Sequence, residues 1–248
     1  MKAMGWLCML LAGAVLASGC QFDRVKEHRE LELPASAIES LEVETGFGEL
    51  TIIGDKEASS IQAKATIKRS QNVSEEDILF TLEQEGNTAK LVLDDTAGFG
   101  LRSLEVSLTV TVPAAMSMMV KDGSGDTEIK DLEGPLVVHD DSGDLKISNV
   151  SGELEAHDQS GDLQVTNASN IKLINDESGD MKLKNTSGDM QLQDQSGNIH
   201  INNHTGDLTI WDDSGDLIID GVDGNVTLEE KGSGDKAVKN IKGSWTEQ

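Results

Sequence analysis

The stretch Asp140-Asp-Ser-Gly-Asp-Leu-Lys-Ile-Ser-Asn-Val-Ser-Gly-Glu-Leu-Glu-Ala-His-Asp158 contains the unit from which half of the chain is built. The same pattern restarts 18 residues later, in Asp158-Gln-Ser-Gly-Asp162. Triplets of Ser-Gly-Asp, once Ser-Gly-Asn, recur in five steps of 18 residues and one of 19, beginning at Ser124, Ser142, Ser160, Ser178, Ser196, Ser214 and Ser233. A fixed period of this length indicates a repeat architecture.

Each 18-residue unit divides into two halves of nine residues. A second set of turn positions lies midway between the triplets, at Gly134, Gly152, Asn170, Gly188, Gly206 and Gly224. Within a half, apolar and polar residues alternate, as in Leu145 and Ile147, which is the period of a β-strand. A half this short leaves no room for a crossover helix. The repeat therefore predicts an all-β fold, a parallel β-solenoid with two facing sheets and right-handed coiling.

The alternation also predicts the core. One stack is expected to comprise Leu136, Leu154, Met190, Leu208 and Val226. The facing stack is expected to comprise Leu145, Leu163, Met181, Ile199 and Leu217. The half that begins at Ser169 has Ile171 and Leu173 one place early, yet Ser178 returns on schedule, so we expect a β-bulge there.

The region before the repeats is rich in strand-like runs and divides the chain further. We predict a strand-rich cap over residues 39–120 that covers the first coil, followed by repeats over 121–248. The runs are Leu41–Glu44, Ile61–Lys68, Leu79–Leu82, Lys90–Leu93 and Leu104–Val112, with a helical turn at Ser74–Ile78. Lysines in the last coil are expected to guard the other end, namely Lys231, Lys236, Lys239 and Lys242. The charged segment 20–38 is predicted to be a tether.

The first residues have the pattern of an export signal. Lys2 precedes an apolar run of about 12 residues, shorter than the roughly 20 needed to span a membrane. The run ends in Ala17-Ser-Gly-Cys20, which resembles the lipobox of bacterial lipoproteins. That resemblance implies a signal peptide over residues 1–19, lipid attachment at Cys20 and, because Gln21 rather than aspartate follows, the outer membrane. The alternative is ordinary cleavage with a free Cys20 thiol.

The composition excludes some partners. With 20 basic and 45 acidic residues the formal net charge is −25, which makes nucleic acid an unfavourable partner. Residues 121–248 contain 27 acids and 10 lysines and no arginine. Cys8 would leave with the signal peptide, so no disulfide within the mature chain is expected.

The sequence resembles the DUF4097 family, whose members carry the adhesin label. The resemblance rests on Leu41-Glu-Val-Glu-Thr-Gly-Phe-Gly-Glu-Leu-Thr-Ile52, on the strand-rich region ending in Thr111-Val-Pro113, and on the repeats from Gly123 onward. It implies an exported or envelope-associated β-helical protein and no catalytic residues.

Two columns of acids follow from placing the repeats in register. One is Asp140, Asp158, Asp176, Asp194 and Asp212, with Glu230 last. The other is Asp126, Asp144, Asp162, Asp180, Asn198, Asp216 and Asp235. Short polar side chains of this kind cap turn N–H groups, which is the interpretation we favour; calcium bridging neighbouring turns is the alternative. The opposite edge carries an asparagine column of Asn149, Asn167, Asn185, Asn203 and Asn240.

Three outward residues stand out from the strands. His139 and His157 share one column on adjacent coils, and Trp211 lies in the same column. Two imidazoles without a third ligand are an incomplete metal site, so exposed histidines are the simpler interpretation and no metal residues are assigned. Trp211 marks either an interaction patch or a tolerated surface residue.

The sequence therefore favours a non-enzymatic lipoprotein of the cell envelope that presents a binding or adhesion surface to envelope proteins or glycans, with a membrane contact through its lipid. It contains no P-loop, dinucleotide fingerprint or nucleophile elbow. Envelope stress, or binding of cations or cationic peptides by the acidic surface, is the alternative. A polysaccharide-active β-helix enzyme is a minor alternative.

Overall fold

The computed structural model describes residues 24–96 and 103–248, and nearly all of them lie in strands or turns. The first seven strands are β1 (Arg24–Pro34), β2 (Ser40–Thr45), β3 (Glu49–Asp55), β4 (Ser60–Ser70), β5 (Ile78–Glu85), β6 (Thr88–Asp95) and β7 (Leu104–Pro113). A 3₁₀ turn at Glu75–Asp77 precedes β5 and is capped by Ser74, as the sequence predicts.

The repeats supply the other strands. These are β8 (Ser117–Asp122), β9 (Thr127–Lys130), β10 (Leu136–Asp140), β11 (Leu145–Ser148), β12 (Leu154–Asp158), β13 (Leu163–Ala168), β14 (Ile171–Asp176), β15 (Met181–Ser187), β16 (Met190–Asp194), β17 (Ile199–Thr205), β18 (Leu208–Ser214), β19 (Leu217–Asp223), β20 (Val226–Ser233), β21 (Lys236–Ile241) and β22 (Trp245–Glu247).

All of these strands belong to two sheets of 11 strands each. Sheet A has the order β1-β4-β7-β3-β9-β11-β13-β15-β17-β19-β21, and sheet B the order β22-β20-β18-β16-β14-β12-β10-β8-β2-β6-β5. From β8 onward consecutive strands alternate between the sheets, and each pairs in parallel with the strand one coil later, as β10 does with β12. The predicted two-sheet parallel β-solenoid is confirmed; its hand stays a prediction.

The core lies between the two sheets and matches the predicted stacks. All ten predicted residues, from Leu136 to Leu217 and Val226, are at most 2% exposed. Leu145 pairs in register with Leu163, and Leu163 with Met181, so like positions stack on like positions. Each such side chain contributes about 2 kcal/mol of burial free energy, so the two stacks stabilise the repeats.

The register shifts at two places. Leu154 pairs with Ile171 but Glu155 pairs with Leu173, which confirms the predicted bulge and leaves Lys172 exposed. A second shift between Ile210 and Trp211 accounts for the 19-residue step. It pairs Asp212 with Lys231. The expectation that Glu230 ends the aspartate column was therefore wrong, because the extra residue moves Glu230 opposite Trp211.

The N-terminal region is more closely integrated with the repeats than we predicted. β2 pairs in parallel with β8, and β3 with β9, so Ser40–Asp55 forms a coil of the solenoid rather than a cover on it. β6 and β7 stack in parallel on the far side of that coil. Only β1, β4 and β5 run antiparallel to their neighbours, and these strands cover the end.

The predicted tether contains a strand, which is a correction. β1 pairs with β4 along its whole length, from Arg24 opposite Ser70 to Pro34 opposite Ser60. The alternation of inward and outward residues in β1 is not evident from the sequence, because two charged residues, Glu27 and Arg29, take inward positions. Their side chains form an ion pair at 2.6 Å. The predicted signal peptide and Cys20 lie outside the described residues.

Candidate functional site

The two aspartate columns lie at the Ser-Gly-Asp edge of the solenoid and differ in burial. In β12 the residues Leu154, Ala156 and Asp158 alternate inward, so Asp158 ends its strand inside the molecule. The same holds for a row that we call the aspartate ladder, whose members are only 0–3% exposed: Asp122, Asp140, Asp158, Asp176, Asp194 and Asp212. The sequence analysis placed these residues at the correct edge but missed their burial, and it did not include Asp122. Counting every second residue along a strand, from Leu154 to Asp158 or from Met118 to Asp122, predicts that both aspartates point inward.

The turn that follows each ladder residue depends on glycine and serine. Gly161 has φ of +139°, and a Cβ there would lie 1.7 Å from the Gly143 carbonyl oxygen. One ladder oxygen caps the turn, because the Ser160 N–H donates to Asp158 Oδ1 at 3.1 Å. The Ser160 hydroxyl donates to the Asp141 carbonyl of the preceding coil at 3.2 Å. The same turn cap is present at Asp140 and Asp176, so the predicted capping is confirmed for these three residues of the inner column.

The outer aspartate column caps the next coil instead of its own turn. Asp144 Oδ1 accepts from the Asp162 N–H at 3.3 Å, and Asp162 Oδ1 from the Asp180 N–H at 3.2 Å. Asn198 takes the same role, accepting from the Asp216 N–H at 3.0 Å. Among the described residues no three His, Cys, Asp or Glu side chains are grouped to hold a metal ion. Calcium stays a prediction without a coordinating group.

The electrostatics of the ladder are unusual because acids surround acids. Burial, with a smaller contribution from neighbouring carboxylates, raises the pKa of Asp140, Asp176 and Asp194 to about 7. Burial likewise raises the pKa of Asp158 to about 6. Each of these four residues keeps at least one buried carboxyl oxygen that has no hydrogen-bond partner among the residues that the structure describes. Buried carboxyl oxygens ordinarily have partners, so this row requires an explanation.

The two ends of the ladder are closed by different groups. At the first coil, Thr45 donates to Asp122 Oδ1, and Thr127 donates to Asp122 Oδ2 at 3.2 Å. At the last, Lys236 lowers the pKa of Asp212, although burial outweighs it and the net shift is upward.

The opposite edge carries the predicted asparagine column. Asn149, Asn167, Asn185 and Asn203 all have φ between +52° and +61°, a conformation that asparagine tolerates well. Their amides form a continuous row in which Asn185 donates to Asn167 Oδ1 at 3.0 Å and accepts from Asn203 at 2.9 Å. Gly221 takes the next slot. An amide both donates and accepts, so identical side chains satisfy one another.

The outward histidines and Trp211 share one face of sheet B. His139 and His157 stack with ring centroids 4.6 Å apart and planes 10° apart, and both are half-buried. Trp211 is half-buried too and lines a shallow groove with Asn175, Gln193, Gln195 and Asp213. The sequence analysis also missed His204 of β17 in sheet A, which is buried and bonds to Thr186 Oγ1 at 2.9 Å.

The last coil contains the predicted lysines. Lys239 pairs with Asp220 at 3.1 Å and Lys242 with Asp223 at 2.7 Å, while Lys236 approaches Glu247 at 3.8 Å. Lysines on a terminal coil hinder edge pairing with another chain. None of the described residues forms a helix long and apolar enough to cross a membrane.

The fold and its stacked polar columns define a two-sheet parallel β-solenoid protein. The chain belongs to the DUF4097 family, described as Toastrack, whose model matches residues 38–244. No curated protein matches the chain.

Solved structures similar to the chain come from bacteria. One is a "putative lipid binding protein" from Parabacteroides distasonis, 12% identical over 90% of this chain and 96% of that chain, with a TM-score of 0.43. Another is a "putative adhesin" from Bacteroides fragilis, 15% identical over 93% and 100% respectively, with a TM-score of 0.30. A third is a "putative cell adhesion protein" from Clostridium sporogenes, 10% identical over 90% and 98%, with a TM-score of 0.32.

Proposed function

We propose that this protein is a non-enzymatic binding protein of the cell envelope and that it binds its partner on the outward face of sheet B. The observation that carries the proposal is the scarcity of charge on that face. From β10 to β18 its ten regular outward positions hold one charged residue, Glu155, and the bulge in β14 adds the exposed Lys172, in a protein of net charge −25. The set is Val137, His139, Glu155, His157, Leu173, Asn175, Gln191, Gln193, Thr209 and Trp211.

The corresponding face of sheet A differs in charge. From β11 to β19 it presents Lys146, Lys182, Lys184 and Asp220 among ten outward residues. A solvated face ordinarily carries such charges, while the core of a binding interface is depleted of them and enriched in aromatic residues. The contrast between the two faces of one regular rod supports a binding role for sheet B.

The chemistry of the sheet B face fits a neutral, hydroxyl-rich glycan. Amides and imidazoles both donate and accept hydrogen bonds, and the Trp211 ring offers a flat apolar surface with an N–H at its edge. The neighbouring edge exposes Asp141, Glu177 and Asp213, which repel polyanions.

Lipid attachment at Cys20 belongs to the same proposal. Only Gln21, Phe22 and Asp23 would separate the lipid from β1, which begins at Arg24. Three residues reach about 10 Å when extended. The lipid would therefore hold the capped end near the outer membrane, and the repeats would extend away from it.

The binding proposal is tested with glycan and envelope-component arrays probed by the purified protein. Trp211→Ala should weaken binding by about tenfold or more, since tryptophans dominate interface energies. The matched control is Ile218→Ala, a half-buried outward residue on sheet A, which should bind like the wild type. Equal binding by both variants, with both folded by circular dichroism, would reject this face as the binding surface.

The anchoring proposal has its own test. Mass spectrometry of the N-terminal peptide should find acyl groups on Cys20, and Cys20→Ala should move the protein from the membrane to the soluble fraction. An unmodified N-terminal peptide from the wild type would refute lipidation and leave the binding proposal intact.

A cationic partner is the second candidate, favoured by the exposed acids of the Ser-Gly-Asp edge. In that case affinity for cationic peptides should fall steeply with salt and should not respond to Trp211→Ala.

A further inference from the structure

The aspartate ladder places like charges in contact with one another inside the molecule. Asp140 pairs in register with Asp122 on one side and Asp158 on the other, and the row continues through Asp176, Asp194 and Asp212. Strands in a sheet lie about 4.8 Å apart, so each carboxyl meets its copies above and below. Side chains that are at most 3% exposed gain little from solvent.

No cation in the described surroundings neutralises most of this row. The groups that act on the ladder from the neighbouring turns are Asp141, Asp144, Asp162, Asp180 and Asp213, all of them acids. The one basic group is Lys236, which acts on Asp212 at the last coil. His139 and His157 adjoin ladder residues in sequence but lie on the outward face of sheet B.

Most ladder carboxyls have at least one oxygen that lacks a hydrogen-bond donor from the described residues. Asp140, Asp158 and Asp176 each use Oδ1 to accept a turn N–H and leave Oδ2 buried without a donor. A carboxylate is only an acceptor, so two ionised neighbours repel and cannot bond. A protonated carboxyl supplies an O–H that can donate to the next oxygen in the row.

We propose that the aspartate ladder is a proton-binding site in which neighbouring carboxyls share protons as O–H···O hydrogen bonds, so that the solenoid takes up protons on folding and is stabilised by mild acid. The ligand is the proton rather than a metal ion, because the described residues contain no group of three metal-binding side chains. This inference does not depend on the partner of the sheet B face.

The direction of the pH dependence follows from linkage. The pKa of Asp140, Asp176 and Asp194 is about 7 and that of Asp158 about 6, all above the ordinary value of 3.8 that applies to the unfolded chain. The folded state therefore binds more protons. Its stabilisation is complete below about pH 4 and is lost as the pH rises through 6 to 7. His157 and His204 have pKa values lowered by burial, so their contribution has the opposite sign.

The test compares thermal midpoints at pH 5.5 and 8.0 at constant ionic strength with EDTA present. The wild-type midpoint should be higher at pH 5.5 by at least about 5 °C. The double variant Asp140→Asn/Asp176→Asn, which replaces two alternating carboxyls with neutral isosteres, should lose more than half of that difference. The matched control is Asp126→Asn/Asp216→Asn in the exposed column, where Asn198 already fills one slot, and it should keep the wild-type difference.

Three results would overturn the proposal. One is a wild-type midpoint that is flat or rises toward pH 8.0, and another is a ladder variant that keeps the full pH dependence. The third is calcium restoring the pH 8.0 midpoint of the wild type but not of the ladder variant, which would make the ladder a cation site.

An independent measurement uses the wild-type protein alone, so it does not depend on whether a variant folds. Infrared spectra of the wild type at pH 6 should show the carbonyl stretch of neutral carboxylic acids. Unfolding at pH 5.5 in weak buffer should release roughly three to four protons from the ladder, less those that His157 and His204 take up. Absence of both signals would show that the ladder is ionised and would refute proton sharing.

Discussion

The capped end and the repeats bury charged groups in opposite ways. At the capped end, Arg69 is 8% exposed and lies 3.0 Å from Glu75 and 3.5 Å from Glu27, so opposite charges meet. It also donates to the Val73 carbonyl at 2.5 Å. In the repeats, the charged groups that act on the aspartate ladder from the described residues are all acids until the last coil.

The difference teaches what repetition allows. In an irregular region every buried residue has its own neighbours, so an arginine can be matched to a glutamate. In a stacked repeat, an inward residue lies beside its own copy, so its chemistry must be complementary to itself. An amide meets that condition at any pH, as the asparagine column shows, whereas a carboxyl meets it only when it shares a proton.

The largest expected effect concerns the crowded repeat turn. Gly161→Ala should lower the free energy of unfolding by about 4 kcal/mol or more, because the added Cβ would lie 1.7 Å from a backbone oxygen that the adjacent coil fixes. Gly86→Ala is the control in the β5–β6 hairpin, where φ is +68° and no atom lies within 4 Å. Backbone strain alone should lower the free energy of unfolding of the Gly86→Ala variant by about 1 kcal/mol. Urea unfolding measures both, and equal losses would mean that stacking does not restrict the turn.

The second effect concerns the ion pairs of the capped end. Arg69→Ala should destabilise by about 3 kcal/mol, because it leaves the buried Val73 carbonyl without its donor and removes one of the two guanidinium groups beside Glu27. Lys68→Ala, which removes only the exposed pair with Glu105, should change stability far less. If the two variants unfolded at the same urea concentration, the capped end would not depend on buried pairing and the contrast with the repeats would fail.

The smallest effect tests self-complementarity directly. Asn185→Asp keeps a side chain that tolerates positive φ, as Asp131 does at +61°, but removes the donor to Asn167. It should cost about 1 kcal/mol at pH 7. Because a protonated aspartate can donate again, the loss should shrink as the pH falls below about 4. Asn185→Ala is the comparison, and a loss for Asn185→Asp with no more pH dependence than the alanine variant would contradict the explanation.

Much of the fold could be predicted because the repeat displays it many times. The strands, the facing stacks and the bulge near Lys172 follow from period-two alternation and the 18-residue spacing. The strand β1 could not be predicted, since the charged residues Glu27 and Arg29 occupy inward positions. The pairing of β1 with β4 is visible only in the structure. The coil formed by β2 and β3 was also missed, because it lies beside β8 and β9 in space but is separated from them by four other strands in sequence.

The candidate site was predicted less completely. The edge, the columns and the turn capping followed from residue spacing. The burial of the ladder depends on which way the last residue of each strand points, and the sequence analysis treated Asp158 as part of the turn rather than the strand. The charge contrast between the two outward faces required the sheet assignment of every strand.

The register of 18 residues per coil also affects how genes of this kind change. Duplication or loss of one 18-residue unit, such as 145–162, joins Asp162 or Asp144 to a leucine and keeps the apolar and aspartate columns in register. Recombination between repeats can thus lengthen or shorten the rod without a new core. Each added unit brings one carboxyl to the ladder, so rod length and proton capacity are inherited together.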